Sequence, residues 1–362
     1  MRRSAILAAI GIAAAAAWAI RDLPAAIGGR ARGEFADRIR RSPQYGDGVF
    51  HNRTVTRMMQ PGSTGAALRE MIAGGAQRRP LGPIPLVEPI VADPDGLHLT
   101  WLGHATTLVE IEGSRVLFDP VWSARVSPSQ LLGPRRLHEP PIPLERLPRL
   151  DAVVISHDHY DHLDMATVRT LVRTQTAPFV VPLGVGAHLR RWRVPESRIV
   201  ELDWNEETTI GDLRLVATAA QHFSGRLFTR DRTLWASWVV AGPTRKVFYT
   251  GDSGYFDGYT EIGAAHGPFD ATLIQVGAYA PGWPDIHMTP EEGVATHLDL
   301  RGGLMIPVHW ATFTLAPHAW TEPADRVWAE CKAQDVRLAI PRVGERVDVD
   351  APGSVDPWWQ TL

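Results

Sequence analysis

The hydrophobic positions fall into three regimes along the chain. Residues 4–20, "SAILAAIGIAAAAAWAI", carry no charge; residues 28–95 hold short apolar islands such as "AALREMIAGG" and "LGPIPLVEPI" among Gly, Arg and Pro; from Leu97 onward β-type runs alternate with helical periods. The first β-type runs are "LHLTWLG", "TTLVEIEG" and "RVLFDP", with a turn at Gly113-Ser114. "LDAVVIS" (150–156) reads as a buried strand, and "DMATVRTLVRT" behind it places Met165, Val168, Leu171 and Val172 at a helical spacing. The alternation continues through "FVVPLG", "LRLVATAA", "LWASWVVAG", "KVFYTGD", "ATLIQVG", a helix opening at Pro290, "GLMIPVHW" and a last helix near "EPADRVWAECKAQ". Strands interleaved with helices predict an α/β layered domain over 96–350. The 28–95 extension is too sparse in apolar residues for a core of its own and is expected to wrap that domain, and 351–362 form a tail. No internal repeat at a solenoid period interrupts this order.

Charge and cysteine narrow the classes. The formal net charge is −3, and no basic tract argues for nucleic acid. The lone Cys331 excludes an internal disulfide and a thiolate cluster, so a metal here would be held by histidine and carboxylate. Met1-Arg2-Arg3 before the apolar run and Arg21-Asp22 after it outline a signal peptide or N-terminal membrane anchor over residues 1–27. Ala17-Trp18-Ala19 is a possible cleavage site, and the run also reaches the lower limit for a membrane span. Export, to a periplasmic or membrane-associated location, is the expectation.

The chemistry concentrates in "VVISHDHYDHLD" (153–164). Burying several titratable groups behind a strand is costly without a cation to pair them. His157, His159, Asp161 and His162 suit zinc or a similar divalent ion, split between two sites. Asp164, at the expected helix start, suits an N-cap, and with Asp158 it supports from behind. Further donors stand at the ends of later β-type runs: His222 after "LRLVATAA", Asp252 after "KVFYTG" and His309 after "GLMIPV". The resulting assignment is His157, His159 and His222 for one ion and Asp161, His162 and His309 for the other. Asp252 is the shared carboxylate.

With those residues in place, the chain resembles the metallo-β-lactamase superfamily, marked by the H-x-H-x-D-H loop after a strand. Within it, the chain resembles the branch of N-acyl-phosphatidylethanolamine-hydrolysing phospholipase D. The resemblance runs over about 97–325 through "TWLGHATTLVEI", "FDPVWSARVSPSQLLGPRR", "ISHDHYDHLD", "AQHFSGR", "GDSGYFDG", "HMTPEEGV" and "VHWATFTLAP". It implies a four-layer αββα sandwich and two zinc ions at its edge. It also implies a further active-site histidine, His287, just ahead of a helix start with Thr289 as N-cap and Glu292 able to close a capping box. His104 and Asp119 are implied as supports of the ligands. The implied reaction is phosphodiester hydrolysis of an N-acyl-phosphatidylethanolamine, which yields phosphatidic acid and an N-acylethanolamine. A hydroxide between the cations attacks, and Asp252, His287 and Asp161 are the catalytic candidates. The expected partner is a phospholipid at a membrane surface. Hydrolysis of lactones or other esters, and a metal-free envelope binding protein, stand as alternatives.

Overall fold

The computed structural model describes residues 22–60, 65, 69, 70 and 74–362. The apolar run 4–20 lies outside them, and among the described residues no helix is long and apolar enough to cross a membrane. Two sheets carry the domain. The first comprises β1 (Leu97–Gly103), β2 (Thr106–Ile111), β3 (Ser114–Phe118), β4 (Ala152–Val154), β5 (Phe179–Pro182), β6 (Ile199–Leu202) and β13 (Arg346–Asp348), in spatial order β13-β1-β2-β3-β4-β5-β6. The second comprises β7 (Glu207–Ile210), β8 (Leu213–Thr218), β9 (Ser237–Ala241), β10 (Lys246–Tyr249), β11 (Phe269–Gln275) and β12 (Gly302–Val308), in order β12-β11-β10-β9-β8-β7. The helices of this domain are α1 (Met165–Thr174), α2 (Gly186–Arg191), α3 (Gly258–His266), α4 (Pro290–Asp299) and α5 (Glu322–Ala333); in the chain ahead of it, Leu23–Ala26 and Glu34–Arg41 are also helical.

Side-chain alternation along the strands sorts residues into two cores, because successive strand residues point to opposite faces. Val116, Phe118, Ala152, Val154 and Val180 join the core shared with Leu215, Val239 and Phe248 of the other sheet. Their neighbours Leu117, Val153, Phe179 and Val181 point the other way and pack with Val168 and Leu171 of α1 and Leu189 of α2. On the far side, α4 packs on β11 and β12 and α5 packs on α4. The result is the αββα sandwich. The extension contributes Ile39, Phe50 and Ile84 to the shared core, which is how so few apolar residues suffice to hold it.

The expected elements form with two departures. "LWASWVVAG" pairs only from Ser237, and its Leu234 instead donates its amide to the Leu183 carbonyl as the chain enters the sheet. β7 and β13 carry no strong apolar signal, and the short run "IVEL" of β6 is not among the expected strands; "ETTI" in β7 alternates exposed and half-buried positions on a sheet edge, where polar residues suffice.

His297, buried on α4 beside the Thr272 hydroxyl at 2.8 Å, has its pKa pushed down to about 4 by burial. The folded state therefore holds it neutral, while the unfolded chain takes up a proton below the ordinary value near 6.5. Stability from this group is full above that value and declines as pH falls towards 4, at roughly 1.4 kcal/mol per pH unit. His297→Asn should flatten the difference between urea midpoints at pH 7 and pH 5. An unchanged difference would show that His297 does not carry it.

Candidate metal centre

Strand direction brings the donors to one edge. β3, β4 and β5 are mutually parallel, and so are β10, β11 and β12; β8 is antiparallel to β9, which is antiparallel to β10, so β8 runs with them. The chain leaves all of these strands except β9 at the same end, where open α/β sheets commonly present their ligand-binding residues. The 157–162 loop leaves β4, Asp119 leaves β3, His222 leaves β8, Asp252 leaves β10, and His309 leaves β12. His104 sits in the β1–β2 turn at that end. α1 starts where the loop finishes: Asp164 is its N-cap and accepts hydrogen bonds from the amides of Ala166 (3.1 Å) and Ser123 (3.0 Å).

The donors gather into two groups. His157, His159, His222 and Asp252 place their ligand atoms within 4.8 Å of one another, and so do His104, Asp161, His162 and His309; Asp252, His287 and His309 form a third set. Asp252 Oδ2 lies 3.1 Å from both His162 Nε2 and His309 Nε2, 3.9 Å from His157 Nε2 and 3.8 Å from His222 Nε2. This carboxylate therefore faces both groups. All seven expected ligands meet here, and His287 stands beside them, its Nε2 3.8 Å from Asp252 Oδ2.

Hydrogen bonds at the rear fix which nitrogen faces the centre. His222 donates from Nδ1 to the Ile286 carbonyl (3.0 Å), and His162 Nδ1 faces Asp119 Oδ2 at 2.7 Å, so both Nε2 lone pairs point inward. His157 Nε2 and His159 Nδ1 are 2.7 Å apart, and His159 Nδ1 and His222 Nε2 are 3.3 Å apart. Three lone-pair nitrogens converging like this repel unless something positive sits among them. Two nitrogens about 2.0–2.1 Å from one tetrahedral zinc are roughly 3.3 Å apart. Asp252 Oδ1, His162 Nε2 and both His309 nitrogens are buried without a hydrogen-bond partner, a combination that polar groups in a protein interior avoid. The donor set thus fits divalent cations.

Electrostatics agrees. Burial, together with the neighbouring imidazoles, drives His157 and His222 well below the ordinary histidine value, leaving them neutral as ligands must be. Burial would raise Asp161 and Asp252, yet the surrounding histidines outweigh it and hold both carboxylates well below their usual range. Burial likewise opposes charge on His162 and His309, but Asp252 and Asp161 outweigh it and raise both. The buried Asp252 and partly exposed Asp161 carboxylates therefore favour positive charge at this spot, which protons or bound cations can supply. His287, with Nδ1 3.3 Å from the Gly277 carbonyl, is pushed down to about 4 by burial.

Several contributors gave no sequence signal. Ser156 joins the Asp119 carboxylate (Oγ to Oδ2, 2.5 Å) to His157 Nδ1 (2.9 Å), and the Tyr249 hydroxyl donates to the same Asp119 oxygen at 2.5 Å. Asn52, from the extension, brackets the His222 backbone: Nδ2 donates to its carbonyl (2.7 Å), and Oδ1 accepts from its amide (3.1 Å). His104, expected only as a support, has Nε2 2.9 Å from Asp161 Oδ2 and within ligand reach of the second group. Asp158 stays outside both groups, against His188 and the Gly225 amide.

An αββα sandwich with histidines and carboxylates gathered at its strand ends is the architecture of a metal-dependent hydrolase, and the comparisons with known proteins agree. Residues 114–310 match the model of the Beta-lactamase superfamily domain. The chain belongs to the metallo-β-lactamase superfamily. An uncharacterized protein of Mycobacterium tuberculosis (strain ATCC 25618 / H37Rv) is 50% identical over 99% of this chain and 100% of its own length. N-acyl-phosphatidylethanolamine-hydrolyzing phospholipase D 1 of Caenorhabditis elegans is 36% identical over 64% of this chain and 69% of its own. Among solved structures, the isothiocyanate hydrolase from Delia radicum gut bacteria superposes with a TM-score of 0.54 at 18% identity, covering 69% of this chain and 98% of that one. That likeness bears on the fold alone.

Proposed function

We propose that the chain is a dinuclear zinc hydrolase that cleaves phosphodiesters in the manner of a phospholipase D, with N-acyl-phosphatidylethanolamine as its substrate. The observation that carries the dinuclear reading is the Asp252 carboxylate facing two separate donor groups. The similarity to the Caenorhabditis elegans phospholipase supports the substrate class. His157, His159 and His222 would hold one ion, Asp161, His162 and His309 the other, with Asp252 shared. When bound, such ions acidify a water for attack and neutralise charge developing on phosphoryl oxygens.

The chain's own residues orient the rest. A cavity of about 400 Å³ opens beside His287, walled by Tyr279, Pro281, Pro284, Pro317 and His318. Glu292, Glu322 and Arg326 also line it, so the wall is mixed: the proline and tyrosine surfaces suit an apolar segment, and the charged groups suit a polar one. The His287 Nδ1 proton is committed to the Gly277 carbonyl, so Nε2 faces the centre as an acceptor and must first take up a proton before it can donate one to a leaving oxygen. His287→Ala should lower kcat by about 10²–10⁴-fold with metal content unchanged, the signature of lost proton handling. Loss of metal in that variant would reassign His287 to ligation. The uncharged run 4–20 behind two arginines supports export and a membrane-associated site of action, where such a lipid is met.

The deciding experiment joins metal analysis to a substrate panel. Purified full-length protein should carry close to two zinc ions per chain and release phosphatidic acid and N-acylethanolamine, followed by mass spectrometry. Turnover of lactones without lipid cleavage would overturn the substrate, and absence of metal after zinc supplementation would overturn the centre.

A further inference from the structure

We infer that Arg226 and His188 are positioning residues that clamp the candidate metal loop from behind, and that the Gly28-Gly29 segment completes the clamp; this rests on the metal reading of the site. Arg226 is 1% exposed. Its Nη1 donates to the backbone carbonyls of Asp158 (2.7 Å) and Leu163 (2.9 Å), the two residues that bracket His159, Tyr160, Asp161 and His162. One guanidinium thus ties both ends of the turn that carries three of the seven candidate ligands. Its carbon lies 4.0 Å from the Tyr160 ring centroid at the middle of the same turn. Taking a guanidinium out of water is expensive, and burial lowers the pKa of Arg226 below its ordinary value. A planar fork reaches two carbonyls and an aromatic face together, which an ammonium cannot do.

The other half of the clamp is the segment ahead of the domain. Arg226 Nε donates to the Ala26 carbonyl (2.9 Å), and Trp192 Nε1 donates to the Ala25 carbonyl (2.7 Å). The Gly29 amide donates to His188 Nδ1 (3.0 Å), which leaves His188 Nε2 to donate to Asp158 Oδ2 (3.1 Å). Asp158 Oδ1 in turn accepts from the Gly225 amide at 2.7 Å. This closeness requires glycine. Gly28 has φ +94°, and a Cβ there would stand 1.9 Å from His188 Nδ1; at Gly29 it would stand 1.9 Å from the Ala187 carbonyl oxygen. Residues 25–29 therefore lie across the back of the loop, joined to it through His188, Asp158 and Arg226. Ligand placement is sensitive to displacements well under 1 Å, so a loosened rear shell weakens metal binding before it unfolds the sandwich.

The test uses the full chain with Arg226→Lys, His188→Ala and Gly29→Val. Zinc affinity is read by chelator competition, folded protein by urea unfolding, and kcat with and without excess zinc. Each variant should remain folded, bind zinc about 10–100-fold more weakly and regain kcat in excess zinc. Folded variants with wild-type affinity, or zinc lost only in step with folded protein across all three, overturn the clamp. A wild-type chain that takes up no zinc overturns instead the metal reading beneath it.

Discussion

Asp252→Ala should lower kcat by about 10³-fold or more, since metal-assisted charge stabilisation amounts to several kcal/mol and about 4 kcal/mol is a thousandfold in rate. The reason is position. Asp252 Oδ2 is 3.1 Å from one ligand pair, His162 and His309, and 3.8–3.9 Å from the other, His222 and His157. Without it, the group of His157, His159 and His222 keeps three imidazoles and no anion. Metal content after dialysis should accordingly fall from near two ions per chain towards one or none. Asp252→Asn keeps the shape and one acceptor oxygen but loses the charge, and should retain more metal than alanine with little activity. The fold should survive both, because this side chain serves the imidazoles rather than the core. An alanine variant that keeps two equivalents of zinc and turns over within tenfold of the parent would refute the shared-ligand role.

The ligand loop was legible because it breaks a rule that sequences otherwise keep. Histidines and aspartates crowd directly behind the buried strand "AVV", a place where only a cation makes them affordable. His222, Asp252 and His309 could be read because each ends a β-type run, and parallel strands deliver their ends to one edge. Behind the ligands, Asp119 and His104 were expected from the family resemblance, but the rest of the rear shell was not legible, for the opposite reason. Ser156, Tyr249 and Asn52 are isolated polar residues with no spacing of their own, and they acquire a role only once β3, β4, β8 and β10 bring distant positions together. Arg226 is similar: a single arginine in "SGRLF" gives no sign that its guanidinium will be buried against two carbonyls. Edge strand β7 escaped because its alternation is between exposed and half-buried positions, with no apolar face to read.

Asp119 offers the second large effect, one that separates support from ligation. Its carboxylate is fully buried; Oδ1 accepts from the Ser156 amide (2.7 Å), and Oδ2 accepts from the Ser156 hydroxyl, the Tyr249 hydroxyl and His162 Nδ1. Asp119→Ala strands these four donors in the interior and should cost about 3–5 kcal/mol of stability, read as a lowered urea midpoint. Its φ of +38° adds to the cost, because alanine accepts that backbone region less readily than aspartate or asparagine. Asp119→Asn tolerates the backbone and keeps one acceptor oxygen, so its loss should be smaller, roughly 1–3 kcal/mol. Yet its amide cannot hold the His162 Nδ1 proton as a carboxylate does. His162 Nε2 is then no longer fixed as the inward lone pair, and zinc affinity should fall about 10–100-fold even in the folded asparagine variant. Chelator competition on Asp119→Asn is the decisive measurement. Wild-type zinc affinity with reduced stability would confine Asp119 to holding the strand ends together, whereas weakened zinc in a folded protein ties it to the orientation of His162.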